Sequence, residues 1–284
     1  PHRAFDGQIR AGTINGEPAT AVQKYQELRD STVAHARPLL ERSPMTLLLG
    51  GWDASRKSHQ GRYRSILVGE IIGILADQDG GPEANQSKRG GARIDPLGAR
   101  IQLDRAGRKA IADAQKDELS KKTYDNSIGK NEKEGLARLG IGGIPPSLEQ
   151  LGGVTCQAII RSHVLSFAAL RALRFDSPTP EGDVACRALL AALALNGLAR
   201  SDAELLLRAN CDLVETGPAV VTLDRRYGQK ESFEPLSIDQ AQELLSVAID
   251  NATQAANLTW DGSVLVVEGN PAILAAAADD AQDD

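Results

Sequence analysis

Residues 45–76 read MTLLLGGWDASRKSHQGRYRSILVGEIIGILA. Met45–Leu49 is a short apolar run of strand length, set between Pro44 and Gly50-Gly51. Past Trp52 and Asp53 the chain turns polar and basic through Ser55, Arg56, Lys57, Ser58, His59 and Gln60. Ile66, Leu67, Ile71, Ile72 and Leu75 then recur at helical spacing. The pattern predicts a strand, a basic turn and a helix, with Arg62 and Arg64 in the first helical turn. A helix start with free N–H groups, hydroxyls and arginines nearby is suited to phosphate. An ordinary strand–helix connection with its basic residues in water is the competing reading. Ile71, on the apolar face, is expected to pack, so truncating it should cost about 2–5 kcal/mol.

The same stretch imitates a nucleotide-binding motif without being one. Gly51–Ser58 runs GWDASRKS, one position short of the P-loop pattern. Arg56 stands where that pattern has its second glycine, and an arginine poorly adopts the backbone that curls around phosphate. No apolar strand ending in an acidic magnesium-holding residue accompanies it. NTP hydrolysis is therefore set aside.

The chain has 284 residues, enough for one large core or two modest ones. Its 42% apolar and 25% charged content is that of a globular protein. Aromatic residues make up only 4%, so a nucleic-acid surface here must lean on backbone contacts more than on base stacking. Net charge is −6, but unevenly spread. Residues 54–109 carry 11 Lys and Arg against 6 Asp and Glu, a local +5; residues 200–284 carry 5 against 16, a local −11. One region can attract a polyanion while the other repels it, or the acidic end is simply a solubilising surface. Cys156, Cys186 and Cys211 are widely spaced without a C-x-x-C, and read as reduced residues of a cytoplasmic protein. No metal site and no cofactor is expected. No stretch looks long enough for a membrane span and no signal peptide opens the chain. Because it begins at Pro1, the chain reads as a piece of a longer one.

Residues 1–44 are polar and helical in pattern, with Val22, Tyr25, Leu28, Val33, Ala36, Leu39 and Leu40 as an interrupted stripe. Asp77–Gly91 is loop chemistry and is expected to be disordered; Ala92–Leu103 is expected to be extended. Asp104–Lys133 reads as a charged surface excursion, partly helical around 110–119. Gly140–Gly153 is a Gly/Pro connector into a strand over Val154–Ile160; it lacks the G-x-G-x-x-G of dinucleotide sites. Val184–Ala199 is a strong Ala/Leu core helix. A strand–turn–strand is expected over Asp212–Leu223 around Gly217-Pro218. Ser237–Ala256 is an amphipathic helix with Ser237 and Asp239 at its start, and Trp260–Val267 a final strand. The tail from Ala275 is low-complexity and acidic. The irregular spacing of strands and helices predicts an α+β palm on a small sheet, with large insertions.

Taken together, several blocks are similar to the CRISPR-associated RAMP backbone family of type I-U (I-G) effector complexes. They are LLLGGWDASRKSHQGRYRSILVGEIIGI at 47–74, RIDPLG at 93–98, GIPPSLEQLGGVT at 143–155 and VLSFAALRALRF at 164–175, with His2-Arg3 upstream. The blocks keep the family's order over roughly residues 1–215. Two positions depart: Ala54 stands where the family has serine, and Gly143 where it often has asparagine. The family's own N-terminal portion has no counterpart before Pro1.

The resemblance implies an RRM-like (ferredoxin-like) palm as a single domain over 1–284. Insertions at about 77–153 would form a thumb and flexible loops, and 275–284 a frayed acidic tail. It implies a guide-RNA (crRNA) backbone subunit of a Cascade-like complex, with copies side by side along the guide. Other effector subunits, a recruited helicase-nuclease and target DNA paired to the guide would be its partners, and no membrane. Base pairing then supplies specificity while the protein reads backbone. The residues this places at RNA are Ser55, Arg56, Lys57, His59, Gln60, Arg62, Tyr63, Arg64 and Arg93; an Arg93–Asp95 pair is the structural alternative for the last. No catalysis is expected. The alternative is a RAMP-type RNA-processing endoribonuclease, for which His59 in the basic turn is the candidate general base among four histidines.

Overall fold

The computed structural model describes residues 9–52, 61–76, 79, 86–87, 103–141, 153–205 and 213–273. The class is α+β, with helices around small antiparallel ladders. The helices are α1 (Gln23–Asp30), α2 (Arg37–Arg42), α3 (Pro44–Leu49), α4 (Arg105–Ala114), α5 (Lys121–Ser127), α6 (Glu132–Arg138), α7 (Phe167–Ala172), α8 (Pro180–Ala203) and α9 (Ile238–Ala256). The strands are β1 (Thr13–Ile14), β2 (Glu17–Pro18), β3 (Gly51–Trp52), β4 (Arg62–Tyr63), β5 (Leu67–Leu75), β6 (Gln86–Ser87), β7 (Gly153–Val154), β8 (Cys156–Leu165), β9 (Val221–Asp224) and β10 (Lys230–Phe233).

The main core is built on α8 and α9, both legible in the sequence. Thr179 caps α8 by accepting from the Gly182 N–H, with Pro180 in the first turn. Ser237 and Gln240 form a capping box at the start of α9; Gln240, not Asp239, is the second partner. The helices run antiparallel. At one end Gly182 lies so close to α9 that a Cβ there would sit 2.7 Å from the Ala255 carbonyl. At the other end Asn196 donates to Gln242 at 3.4 Å. Leu189, Leu190 and Cys186 on α8 are fully buried with Ala252 and Ala256 on α9. Leu39, Leu40, Leu47, Leu48, Ile66, Leu170 and Phe175 complete the cluster. By length and composition α8 is long and apolar enough to cross a membrane, against the expectation that no stretch would be; its packing against α9 is that of a core helix.

The opening stretch folds differently from its predicted pattern. Pro44–Leu49 is a helix, not a strand. Pro44 presets the first helical φ, and the adjacent Leu47 and Leu48 are both buried while Met45 and Leu49 are exposed. A strand would have alternated. Residues 67–75 are a strand, not a helix, paired antiparallel with β8 from Leu67↔Leu165 to Leu75↔Cys156. Gly69 and Gly73, which weaken a helix, instead make room across the ladder. A Cβ on Gly69 would meet His163 Cδ2 at 2.7 Å, and one on Gly73 the Cys156 Sγ at 2.6 Å. Ile71 and Ile72 are half exposed on this ribbon and outside the core.

Residues 103–141 exceed the expected surface excursion. Asp104, Ser120 and Asn131 cap α4, α5 and α6. Ile111, Ala112, Leu119, Leu136, Leu139 and Ile141 form a second core with Leu103, Ala11 and Ile273. Arg108 is buried there, its guanidinium donating to the carbonyls of Leu103, Ser127 and Gly129. The hairpin expected around Gly217-Pro218 lies later: β9 and β10 turn at Arg226–Gly228, where Tyr227 and Gly228 take positive φ. Trp260–Val267 is no strand; Glu268 bridges to Thr13, and Leu265 and Val267 pack on a third cluster of Ile14, Ala19 and Tyr25. Most of the expected loop 77–91 lies outside the described residues, as do the stretch 92–102 and the tail from 275; within that loop, Gln86–Ser87 pairs with Gly153–Val154.

Candidate nucleic-acid interface

The short ladder of β3 and β4 stands at the base of the basic segment. Its register pairs Gly51 with Tyr63 and Trp52 with Arg62. Gly50 makes the link from α3 possible. Its φ is +80°, and a Cβ there would lie 2.7 Å from Ser65 Oγ and 2.9 Å from the Tyr63 carbonyl. Ser65 Oγ donates to the Leu49 carbonyl at 2.7 Å, and the Ile66 N–H to the Leu48 carbonyl at 2.8 Å. Residues 62–66 are thereby clipped to the end of α3, and through Ile66 to the main core.

Strand alternation then sorts the side chains. Tyr63 packs against the main core and donates its hydroxyl to the Ser31 carbonyl. Arg62 and Arg64 flank it and are exposed. Neither arginine forms an ion pair among the described residues, so both charges are available to an anion. Arg64 borders a shallow depression with Ser65, Val68, Glu70, Ser162 and Ser166; Ser162 donates to Glu70 at 3.0 Å. The Arg62 guanidinium lies 4.6 Å from the centroid of the Trp52 ring, which is 59% exposed. Trp52 is the residue that sequence reasoning passed over. Its signal was an aromatic directly after Gly-Gly in a chain with two tryptophans.

Among the described residues the predicted helix N-terminus is absent: β4 and β5 occupy 62–63 and 67–75 instead. What the described part of this segment offers an anion is therefore side-chain charge. Ser55, Arg56, Lys57, His59, Gln60 and Arg93 lie outside the described residues.

Other titratable groups lie apart. Burial against the ribbon, and secondarily the charge of Arg161, hold the His163 imidazole below its ordinary pKa. Burial pushes the Cys186 thiol up to about 11, so it is an inert thiol at neutral pH. Among the described residues no group of three His, Cys, Asp or Glu side chains converges as a metal site would require.

Residues 1–78 match the family model described as CRISPR-associated protein GSU0053. That span holds α3, the β3–β4 ladder and the whole of the quoted stretch 45–76. It supports, from outside the chain, the resemblance to a CRISPR-associated RAMP-type subunit and a role in CRISPR defence. No curated protein and no solved structure matches the chain.

Proposed function

We propose that this chain is a guide-RNA-binding backbone subunit of a type I-U/I-G CRISPR effector complex, acting in the cytoplasm without catalysis of its own. The observation that carries the reading is the pair Arg62 and Arg64. They are exposed, free of carboxylate partners among the described residues, and fixed at the base of a basic segment within the span that matches a CRISPR-associated family. Arginines at a rigid strand can take phosphate oxygens in bidentate fashion without reading sequence. Guide pairing to target DNA would then supply specificity. Side-by-side copies and the other effector subunits are the partners this role requires.

The test is binding of two unrelated single-stranded RNAs at several salt concentrations. Affinity should fall steeply with salt and hardly differ between the RNAs. Arg62→Ala with Arg64→Ala should weaken binding by about 3–6 kcal/mol, on the order of 1.5–3 kcal/mol per charge-assisted bond, and flatten the salt slope. A flat salt response in the parent, or unchanged binding in the double variant, rejects the reading. Shortening of the RNA during incubation would favour the endoribonuclease instead.

A further inference from the structure

Exposing most of an indole to water is unfavourable, because a tryptophan has 150–250 Å² of largely apolar surface to bury. Trp52 is left 59% exposed all the same. Its backbone is set by its neighbours. Its strand neighbour Gly51 lies so close to α3 that a Cβ there would sit 3.0 Å from Thr46 Cγ2. The ladder fixes Trp52 opposite Arg62, whose guanidinium covers one face of the ring at 4.6 Å. Among the described residues no other cation or ring stacks on Trp52, so its 59% exposure lies away from the face that Arg62 covers. The chain's other tryptophan, Trp260, is spent differently, packed against the main core.

An oriented ring with one face capped by a cation and the other open is a stacking surface. Arg64, two residues beyond Arg62, is also exposed and forms no ion pair among the described residues. Every nucleobase offers a π-face, so stacking on such a ring is tolerant of sequence, as a backbone reader requires.

We propose that the open face of Trp52 is a platform for one unpaired base of bound single-stranded RNA, with Arg62 clamping the ring from behind. This rests on the RNA-binding reading above, and deepens it by naming a base contact where composition pointed to phosphate contacts alone.

The two readings are separated by two signals measured on one titration of the 284-residue chain. Trp260→Phe leaves Trp52 as the sole tryptophan. Fluorescein-labelled oligouridylate is added, and RNA anisotropy and indole emission are followed together. Trp52 emission should be quenched in step with the anisotropy rise. Trp52→Ala should weaken binding roughly 5- to 150-fold, the equivalent of one lost stack, and Trp52→Phe less. The salt slope should not change in either, because a neutral ring releases no counterions. If Trp260→Phe fails to fold, the same comparison runs in the parent, where Trp52→Phe should abolish the quenching and leave the Trp260 signal. Anisotropy that rises without quenching, with Trp52→Ala binding like the parent, overturns the platform and leaves the RNA-binding reading standing. No anisotropy change in the parent overturns both. Quenching by a protein subunit of the complex, with none by RNA, would assign the ring to a protein interface and overturn the platform as well.

Discussion

Tyr25 donates its hydroxyl to Glu118 at 3.0 Å across 93 residues of chain, joining α1 to the turn after α4. Both side chains are buried. Arg29, one turn on from Tyr25, donates to the other Glu118 oxygen at 3.0 Å. The third hydrophobic cluster and the second are thus tied through one carboxylate.

Removing that carboxylate should be costly. Glu118→Ala is expected to lower stability by about 1–3 kcal/mol, since it takes an acceptor from the buried Tyr25 hydroxyl and from the partly buried Arg29, which keeps Asp30. Glu118→Gln keeps an acceptor for Tyr25 and should cost less. Denaturant melts of the two variants check the order; equal loss in both would mean that charge, not hydrogen bonding, carries the link.

Gly50 offers a test of the clip beneath the interface. Its φ of +80° and the crowding by Ser65 and the Tyr63 carbonyl leave no place for a Cβ. Gly50→Ala should cost roughly 1–3 kcal/mol of backbone strain and weaken RNA binding by misplacing the β3–β4 ladder. Gly228→Ala, also at positive φ but with nothing within 4 Å, should share the strain and leave RNA binding intact.

The ribbon and the core should answer truncation differently. Leu190→Ala, at a fully buried position, should cost about 2–5 kcal/mol. Ile71→Ala, at a half-exposed position, should cost under about 1.5 kcal/mol. Thermal melting of both variants decides it. A loss at Ile71 equal to that at Leu190 would show that the ribbon's exposed face is covered in solution.

His163 gives the ribbon a pH signature. The residue as a whole is exposed, yet one edge of its ring lies against Gly69, and that burial with Arg161's charge lowers its pKa. The unfolded chain then binds the proton more readily than the folded one. Stability from this group is present above the ordinary histidine value of about 6.5 and falls as pH drops from there through the depressed folded pKa. His163→Gln should remove that part of the acid sensitivity, and an imidazole titration by NMR should place His163 below the ordinary histidine value of about 6.5. A His163 midpoint at or above 6.5 contradicts the assignment.

The sequence alone determined the pieces whose signals are local. Ser237 marks a helix start by chemistry that acts within four residues, and the Ala/Leu run at 184–199 marks α8 by composition, so both helices were legible to within a few positions; the caps at Thr179 and Gln240 came from the structure. The exposure of Arg62 and Arg64 was legible too, because two arginines flanking a tyrosine seldom face a core. What the tertiary structure decided depends on a partner far along the chain. Residues 67–75 carry apolar residues that suit either period, and β8, roughly ninety residues later in sequence, resolves them as a strand by pairing with them. Leu47 and Leu48 are helical because α2, α8 and Ile66 surround them, which the short run Met45–Leu49 cannot announce. Trp52 gained its candidate role the same way: only the ladder that sets it opposite Arg62 turns a surface aromatic into an oriented ring with one face covered.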